Sequence, residues 1–278
     1  MALIQWLASY PKSGNTWLRF LLDSVRRGGE PIPFPTPETP NQIASARSPF
    51  DELLGIESSD LTEDEIERLR PLLYRLQAAR SEEPSLRKVH DAWTLTSDGT
   101  PLFPPDVTDG VIYIVRDPRD VAASMANHNG VDLDRAITQM GNPDQIIARS
   151  RRQMSAQFPQ RLMTWGGHVE SWLDASGARL MLVRYEDMIA DTEDVLAAAV
   201  RFLGRTASAE VIARSVAANS FERLRAGEAE AGFVERPKKS AAFFRRGEAG
   251  GWRDELTPEQ VIRIETDHGA VMRRLGYL

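Results

Sequence analysis

The sequence predicts an α/β fold in which helices flank a central, mainly parallel sheet. Short apolar runs of strand length alternate with longer segments of helical periodicity, an order typical of parallel α/β domains. The clearest run, Val111 to Val115, is continuously apolar, as expected of a strand buried on both faces. The 278 residues, 42% of them hydrophobic, can bury a sizeable core and show no internal repeat or linker, so we predict a single domain over residues 1–278.

The first half of the chain begins with a strand, predicted at Leu3 to Ala8, which stops at the loop residues 9–16. A helix with one apolar face follows, and Gly28-Gly29 ends it. The proline-rich stretch from Glu30 to Pro40 can be neither helix interior nor central strand, so we predict a loop there. A second helix is predicted from Asp60, as its N-cap, to about Arg80.

The second half of the chain supplies the remaining strands. A short strand is predicted at Arg87 to Ala92, and the strand at Val111 to Val115 leads into a helix over Val121 to Asn127. Leu180 to Val183 is predicted to be another central strand. Two helices follow it, at about Asp194 to Leu203 and at Ala209 to Ala217.

The composition excludes several functional classes. The 34 Lys and Arg residues against 40 Asp and Glu give a net charge of −6, which argues against generic nucleic-acid binding but allows a local basic pocket. With no cysteine and only 4 histidines that lack paired spacing, neither a disulfide nor a catalytic metal is expected. No signal-peptide pattern and no apolar run of roughly 18 residues is present. We expect a cytoplasmic protein without a membrane partner.

Ligands of parallel sheets gather at the carboxyl ends of the strands, which singles out residues 10–17, residues 116–124 and His90. The first segment carries Lys12, Gly14 and two hydroxyls at a helix start, and this chemistry suits a phosphate or sulfate group. It is not a Walker A motif, because Lys12 precedes the only glycine. Taken alone, the loop fits a solvated lysine beside a helix cap as well as it fits anion binding.

Three segments resemble motifs of the PAPS-dependent sulfotransferases, where PAPS is 3′-phosphoadenosine 5′-phosphosulfate. Residues 10–17, YPKSGNTW, resemble the family's 5′-phosphosulfate loop, and residues 115–124, VRDPRDVAAS, resemble its 3′-phosphate segment. Residues 244–253, FRRGEAGGWR, are similar to its R-K-G-x-x-G-D-W-K segment. Three motifs in the family's order are far more specific than one. The resemblance implies a P-loop-like sulfotransferase domain of the cytosolic type, similar to bacterial small-molecule sulfotransferases.

The resemblance also implies which residues bind PAPS. Lys12 would hold the sulfate-bridging oxygen and stabilise the leaving phosphate. The residues around the 5′-phosphate would be Ser13, Gly14, Asn15 and Thr16. The residues around the 3′-phosphate would be Arg116, Ser124, Arg245, Arg246 and Gly247, and guanidinium groups can bind phosphate oxygens bidentately. The adenine would lie near Trp17, Phe221 and Tyr185, although each of these aromatic residues would otherwise be interpreted as core.

Catalysis is assigned by the segment from Arg87 to His90, which aligns with the family's K-x-H segment. His90 is the candidate general base, because a neutral imidazole is available near neutral pH, and Lys88 would stabilise the transferring group. His128 is a rival base, since it lies only four residues beyond Ser124. His168 and His268 fall in predicted helices and are interpreted as structural residues.

The chain departs from the family pattern near its C-terminus. Gly251 stands where the family often has aspartate, and Arg253 where it often has lysine. The family's K-x-x-x-T-V-x-x-x-E dimer segment is not matched, because Pro258 and Ile262 replace the valine and the glutamate. That dimer mode is therefore not expected, and the oligomeric state stays open.

We therefore predict an enzyme that moves a sulfuryl group from PAPS to a hydroxyl, or an amine, of a small-molecule or natural-product acceptor and releases adenosine 3′,5′-bisphosphate. No metal takes part in this scheme. The walls and lid of the acceptor site are expected at residues 28–85, 131–158 and 223–239, which lack strong strand patterns. The alternatives are a P-loop-type ATP-dependent kinase and a non-catalytic nucleotide-binding module.

Overall fold

A four-stranded sheet with the order β2-β1-β3-β6 is central to the computed structural model, which describes residues 2–33, 43–150, 154–237, 239–240 and 242–278. Its strands are β1 (Ile4–Ser9), β2 (Ser85–Val89), β3 (Thr108–Val115) and β6 (Leu180–Arg184). The sheet is parallel, and in the β1–β2 pair Ile4 lies opposite Ser85 and Ala8 opposite Val89. The carboxyl ends of these two strands are therefore side by side. A separate antiparallel pair joins β4 (Ile146–Ile147) to β5 (Gln160–Arg161).

Helices occupy most of the chain between the strands and after β6. They are α1 (Asn15–Arg26), α2 (Arg47–Leu54), α3 (Glu63–Arg80), α4 (Pro118–Asn129), α5 (Leu133–Met140), α6 (Trp165–Glu170), α7 (Tyr185–Ala190), α8 (Thr192–Phe202), α9 (Ala209–Ala218), α10 (Phe221–Ala231) and α11 (Pro258–Arg274). The predicted α/β class and the alternation of strands and helices are confirmed. Most of the proline-rich loop predicted at 30–40 lies outside the described residues. In the described part of the chain, no helix combines the length and apolar character that a membrane crossing requires.

Two details of the predicted elements are wrong. Leu180 to Val183 does form a strand, but β6 is an edge strand and Leu182 is 38% exposed. An apolar run indicates a strand without showing whether it has neighbours on both sides. Helix α3 is capped by Thr62 and not by Asp60, since the Thr62 and Glu65 side chains bond each other's backbone N–H groups in a capping box.

The chain packs as two compact units. The first comprises Met1–Tyr10, Thr39–Tyr113 and Asn142–Met181. Its core contains a group of packed aromatic rings. The centroid of the Phe103 ring lies 5.0 Å from the ring centroids of both Trp6 and Trp172. The second comprises Pro11–Glu38, Ile114–Gly141 and Leu182–Leu278. One core cluster of the second unit contains the buried residues Phe20, Leu224, Phe233 and Phe244.

A buried ion pair joins Arg70 of α3 to Asp91, which follows β2, in the first unit. The guanidinium donates in a bidentate manner, with distances of 2.8 and 2.9 Å, and both side chains are at most 3% exposed. The Arg70 Nε also donates to the Tyr74 hydroxyl at 3.0 Å. The carboxylate therefore neutralises a cation that has lost nearly all contact with water.

We expect Asp91→Ala to lower the free energy of unfolding by about 3–5 kcal/mol, because it leaves the Arg70 charge buried without a counterion. Urea denaturation followed by circular dichroism measures the loss. The control is the double variant Arg70→Met/Asp91→Leu, which removes both charges and should recover much of the stability. A loss below about 1 kcal/mol in Asp91→Ala would show that the pair is not needed.

Candidate active site

The loop between β1 and α1 is shaped by two residues with positive φ, Lys12 at 70° and Gly14 at 101°. Gly14 is the N-cap of α1, and its carbonyl accepts from the Trp17 and Leu18 amides at 3.0 and 3.2 Å. A Cβ atom at position 14 would lie 2.5 Å from the Tyr185 ring, so only glycine fits beneath this ring. The predicted phosphate loop is therefore a tight turn at a helix N-terminus, the geometry that favours anions.

Hydrogen-bond donors dominate the side chains of this loop. Ser13 is fully buried, and within the described part of the chain its Oγ has no hydrogen-bond partner. The half-buried Lys12 ammonium lies 3.3 Å from Nδ1 of His128 and 4.2 Å from the centroid of the Phe243 ring. A hydroxyl and an ammonium at a helix start are donors of the kind that bind the oxygens of sulfate and phosphate groups.

Thr16 and Arg19 are already engaged by one carboxylate. The Thr16 hydroxyl donates to Glu235 at 3.2 Å, and Arg19 forms a salt bridge with the same side chain. Arg19 is only 5% exposed, so Glu235 neutralises a buried cation. The sequence did not indicate Glu235, because it lies more than 200 residues away from both partners.

Arg116 links the 3′-phosphate segment to the other motifs. Its guanidinium carbon lies 4.4 Å from the centroid of the Tyr185 ring, and its Nη2 donates to the Glu248 carbonyl at 2.9 Å. Asp120, in the first turn of α4, accepts from the Gly250 and Trp252 amides at 2.7 and 2.9 Å. The segments at 115–124 and 244–253, which the sequence predicted to serve the same phosphate, therefore lie in contact.

The aromatic residues predicted near adenine occupy the same unit. Trp17 and Tyr185 pack edge to face with centroids 6.0 Å apart, and burial raises the pKa of Tyr185 above its usual range, so this phenol is neutral. The Phe221 ring approaches Gly247, where an added Cβ would lie 2.2 Å from it. Gly247 also has a φ of +66°, so two separate constraints require glycine at this position of the motif.

Ser124, Arg245 and Arg246 complete the predicted phosphate set. Ser124 is half-buried on α4. Arg245 forms a bidentate pair with Glu255 at 2.8 and 2.7 Å, and this cation holds the pKa of Glu255 below its usual range. Arg246 donates to the Glu248 carboxylate and to the Gly251 carbonyl, both at 3.2 Å. The carboxylates orient both guanidinium groups.

His90 follows β2 in the first unit. Its Nδ1 lies 2.9 Å from the Ser9 carbonyl oxygen, at the end of β1. A carbonyl can only accept, so Nδ1 donates to it, and in the uncharged tautomer of the ring the lone pair is at Nε2. Lys88 lies within β2, opposite Leu7 of β1. The pairing of β1 with β2 thus places the predicted base beside the Ser9 carbonyl, which favours the tautomer with the proton at Nδ1.

His168 of α6 supports the backbone of His90, which the sequence did not reveal. Its Nε2 lies 3.1 Å from the His90 carbonyl oxygen, and its Nδ1 lies 2.8 Å from the Tyr113 hydroxyl. Burial lowers the pKa of His168 to about 4, so the ring is neutral at pH 7 and donates from Nε2 while accepting from Tyr113. No local sequence pattern indicates these two contacts of His168, because Tyr113 and His90 are 55 and 78 residues away from it.

Comparison with known proteins identifies the family. Residues 5–276 match the family model described as the sulfotransferase domain. The chain belongs to the sulfotransferase family. It is 25% identical over 268 residues to mouse (Mus musculus) sulfotransferase 1E1, covering 94% of this chain and 80% of that protein. It is likewise 25% identical over 278 residues to cytosolic sulfotransferase 17 of Arabidopsis thaliana, covering 94% of this chain and 71% of that protein.

The fold of this sulfotransferase is also found in solved structures. Retinol dehydratase in complex with androsterone and the inactive cofactor PAP has a TM-score of 0.62 at 19% identity, covering 97% of this chain and 80% of that chain. Mouse sulfotransferase SULT7A1 complexed with PAP has a TM-score of 0.61 at 19% identity, covering 97% and 84%. The predicted P-loop-like α/β fold is confirmed.

Family membership also confirms the predicted enzyme class. The protein is a PAPS-dependent sulfotransferase, and PAPS is its co-substrate. Neither a P-loop-type ATP-dependent kinase nor a non-catalytic nucleotide-binding module is supported.

The sulfotransferase has a small groove of about 50 Å³ in its first unit. Apolar side chains of Ile66, Leu102, Ile146 and Phe158 line it together with charged residues. Two ion pairs, Arg149 with Glu63 and Arg161 with Glu67, belong to this lining. Several lining residues belong to the segments 28–85 and 131–158, which the sequence predicted to form walls of the acceptor site.

Proposed function

We propose that this sulfotransferase transfers the sulfuryl group of PAPS to a hydroxyl, or an amine, of a small-molecule or natural-product acceptor. The observation that carries the proposal is the arrangement around Arg116, which contacts the Tyr185 ring, the Glu248 carbonyl and, at 3.5 Å, the Lys12 carbonyl. One guanidinium thus joins the phosphate loop, the 3′-phosphate segment and the C-terminal motif. Solved relatives contain androsterone or retinol beside PAP, which favours a small-molecule acceptor.

In this reaction PAPS supplies the sulfuryl group and leaves as adenosine 3′,5′-bisphosphate. A bond from the acceptor oxygen to sulfur forms while the bond from sulfur to the bridging 5′-phosphate oxygen breaks. Lys12 donates to that bridging oxygen and offsets its developing charge. His90 accepts the acceptor proton at Nε2, and Lys88 offsets charge on the transferring group. The remaining residues orient the reactants, which is the main demand of such transfers.

The tautomers favour His90 over His128 as the base. His90 donates from Nδ1 to the Ser9 carbonyl and so keeps its lone pair at Nε2. His128 instead places Nδ1 against the Lys12 ammonium, a group that only donates, so this lone pair is engaged and Nε2 carries the proton.

The phosphate and adenine contacts follow the predicted assignments. Ser13, Gly14, Asn15 and Thr16 surround the 5′-phosphate in this proposal. Arg116, Ser124, Arg245, Arg246 and Gly247 bind the 3′-phosphate, while Trp17, Tyr185 and Phe221 border the adenine. The tight fit of Tyr185 to Gly14 and of Phe221 to Gly247 supports these roles, because it fixes the aromatic rings beside the two glycine turns.

We propose in addition that residues 1–278 form one sulfotransferase domain, with acceptor-site walls and lid at 28–85, 131–158 and 223–239. The groove described above supports the first two segments, and its mixed lining suits an acceptor with both apolar and ionic groups. Incubation of labelled PAPS with a small-molecule extract, followed by chromatography of the labelled products, identifies the acceptor. Labelled inorganic sulfate as the sole product would contradict a small-molecule acceptor.

Adenosine 3′,5′-bisphosphate is expected to raise the melting temperature by about 5 °C or more at 100 times its Kd, because it binds only the folded state. ATP at the same concentration should give a much smaller shift, since it lacks the 3′-phosphate that Arg116 would bind. Adenosine 5′-monophosphate serves as the control without a 3′-phosphate. An equal or larger shift with ATP in thermal unfolding would contradict the assignment of the phosphate contacts.

A further inference from the structure

We propose that His128 is a positioning residue that holds the Lys12 ammonium in place for sulfuryl transfer. The inference rests on the proposed role of Lys12 at the bridging oxygen. Lys12 Nζ lies 3.3 Å from Nδ1 of His128 and 4.2 Å from the centroid of the Phe243 ring. The two rings themselves pack edge to face with centroids 6.1 Å apart. The ammonium is therefore held by an acceptor nitrogen and by an aromatic face.

Both rings are anchored within the second unit. His128 lies in the last turn of α4, and Gly130, in the left-handed conformation, is the C-cap of this helix. The backbone amides of Phe243 and Phe244 donate to the two carboxylate oxygens of Glu228 at 2.7 and 2.9 Å, and Glu228 is only 4% exposed. Phe233 packs on Phe243 with ring centroids 4.7 Å apart. The walls around the ammonium are thus fixed by the fold.

Such anchoring matters because the four-carbon stem of a lysine is flexible, so the position of its ammonium is not fixed by the backbone alone. An ammonium has three donors and no acceptor, so it must donate to Nδ1 of His128. The Phe243 face attracts the same charge through its quadrupole. Together the two contacts restrict the Lys12 ammonium, and a misplacement of about 1 Å at a reacting centre can cost about 100-fold in rate.

The test compares His128→Leu with His128→Asn. Leucine has no acceptor, whereas the amide oxygen of asparagine can occupy the place of Nδ1 and accept from Lys12. Release of adenosine 3′,5′-bisphosphate from PAPS is measured with water as the acceptor and again in a small-molecule extract. We expect His128→Leu to lower kcat by about 10- to 100-fold, and His128→Asn to stay within about fivefold of the wild type.

The Kd of adenosine 3′,5′-bisphosphate, measured by calorimetry, is expected to change by less than about threefold in both variants, because the nucleotide clamps are untouched. A general loss of structure would weaken this binding together with kcat. If His128→Leu does not fold, His128→Phe keeps a ring against Phe243 without an acceptor and replaces it in the comparison.

Three results would overturn the inference. Equal kcat values for the leucine and asparagine variants, whether high or low, would show that the acceptor at Nδ1 does not matter. Wild-type protein that releases no adenosine 3′,5′-bisphosphate from PAPS under any condition would overturn the proposed function and this inference with it. Active wild type together with fully active His128→Leu would overturn the inference alone.

Discussion

Lys12→Ala is expected to lower kcat for sulfuryl transfer by about 100- to 1000-fold, the cost of removing one preorganised donor from a developing negative charge. Its neighbours His128 and Phe243 present an acceptor nitrogen and a ring face to the ammonium, so neither of these two contacts replaces its positive charge. Initial rates of adenosine 3′,5′-bisphosphate release measure the effect. Binding of that product should persist, since the backbone of the loop and Arg116 remain.

Arg201→Ala is the matched control for Lys12→Ala. Arg201 is exposed in the last turn of α8, in the same unit, so its loss removes one positive charge without touching the phosphate loop. We expect this control to keep wild-type kcat. A Lys12→Ala protein that turns over within about threefold of the wild type would remove Lys12 from the proposed mechanism.

His90→Ala is the second large effect, with an expected loss of about 100- to 10,000-fold in kcat, the usual contribution of a general base. His90 follows a strand end and its Nδ1 is engaged by the Ser9 carbonyl, so removal of the ring takes away the Nε2 lone pair that accepts the acceptor proton. Rates are measured in the small-molecule extract with labelled PAPS.

Added imidazole distinguishes a lost base from a distorted fold. It should restore part of the rate of His90→Ala in proportion to its concentration, because a free base can enter the space left by the side chain. It should not restore His128→Leu, where the loss lies in the position of Lys12. Near-full turnover in folded His90→Ala would assign the proton transfer to another group.

The sheet and the phosphate loop could be predicted because their signals are local. β1 and β3 are buried apolar runs, and the turn at residues 10–17 carries its lysine, glycine and helix start within one short segment. The segments at 115–124 and 244–253 were each predicted separately, and the structure brings them together through Asp120 and Arg116. Pairing over 130 residues could be anticipated only through the family resemblance.

The sequence could not supply the features that depend on distant partners. Glu235 contacts Thr16 and Arg19, and His168 donates to the His90 carbonyl. No periodicity or motif in the sequence indicates these contacts. The edge position of β6 was missed for the same reason, since strand order depends on pairing that a single apolar run does not encode. The proposed choice of His90 over His128 as the base likewise rests on the hydrogen-bond partners of each ring, which the sequence does not contain.

The Tyr185 ring lies close to both Gly14 of the phosphate loop and the Arg116 guanidinium. In the proposed assignment these are the clamps for the two phosphate groups of one nucleotide. Their contributions to binding are therefore energetically coupled, because a shift of this single ring changes both clamps at once. The effects of substitutions at Gly14 and Arg116 on the binding free energy are therefore not expected to add. A variant selected to bind a modified nucleotide would have to change both positions together.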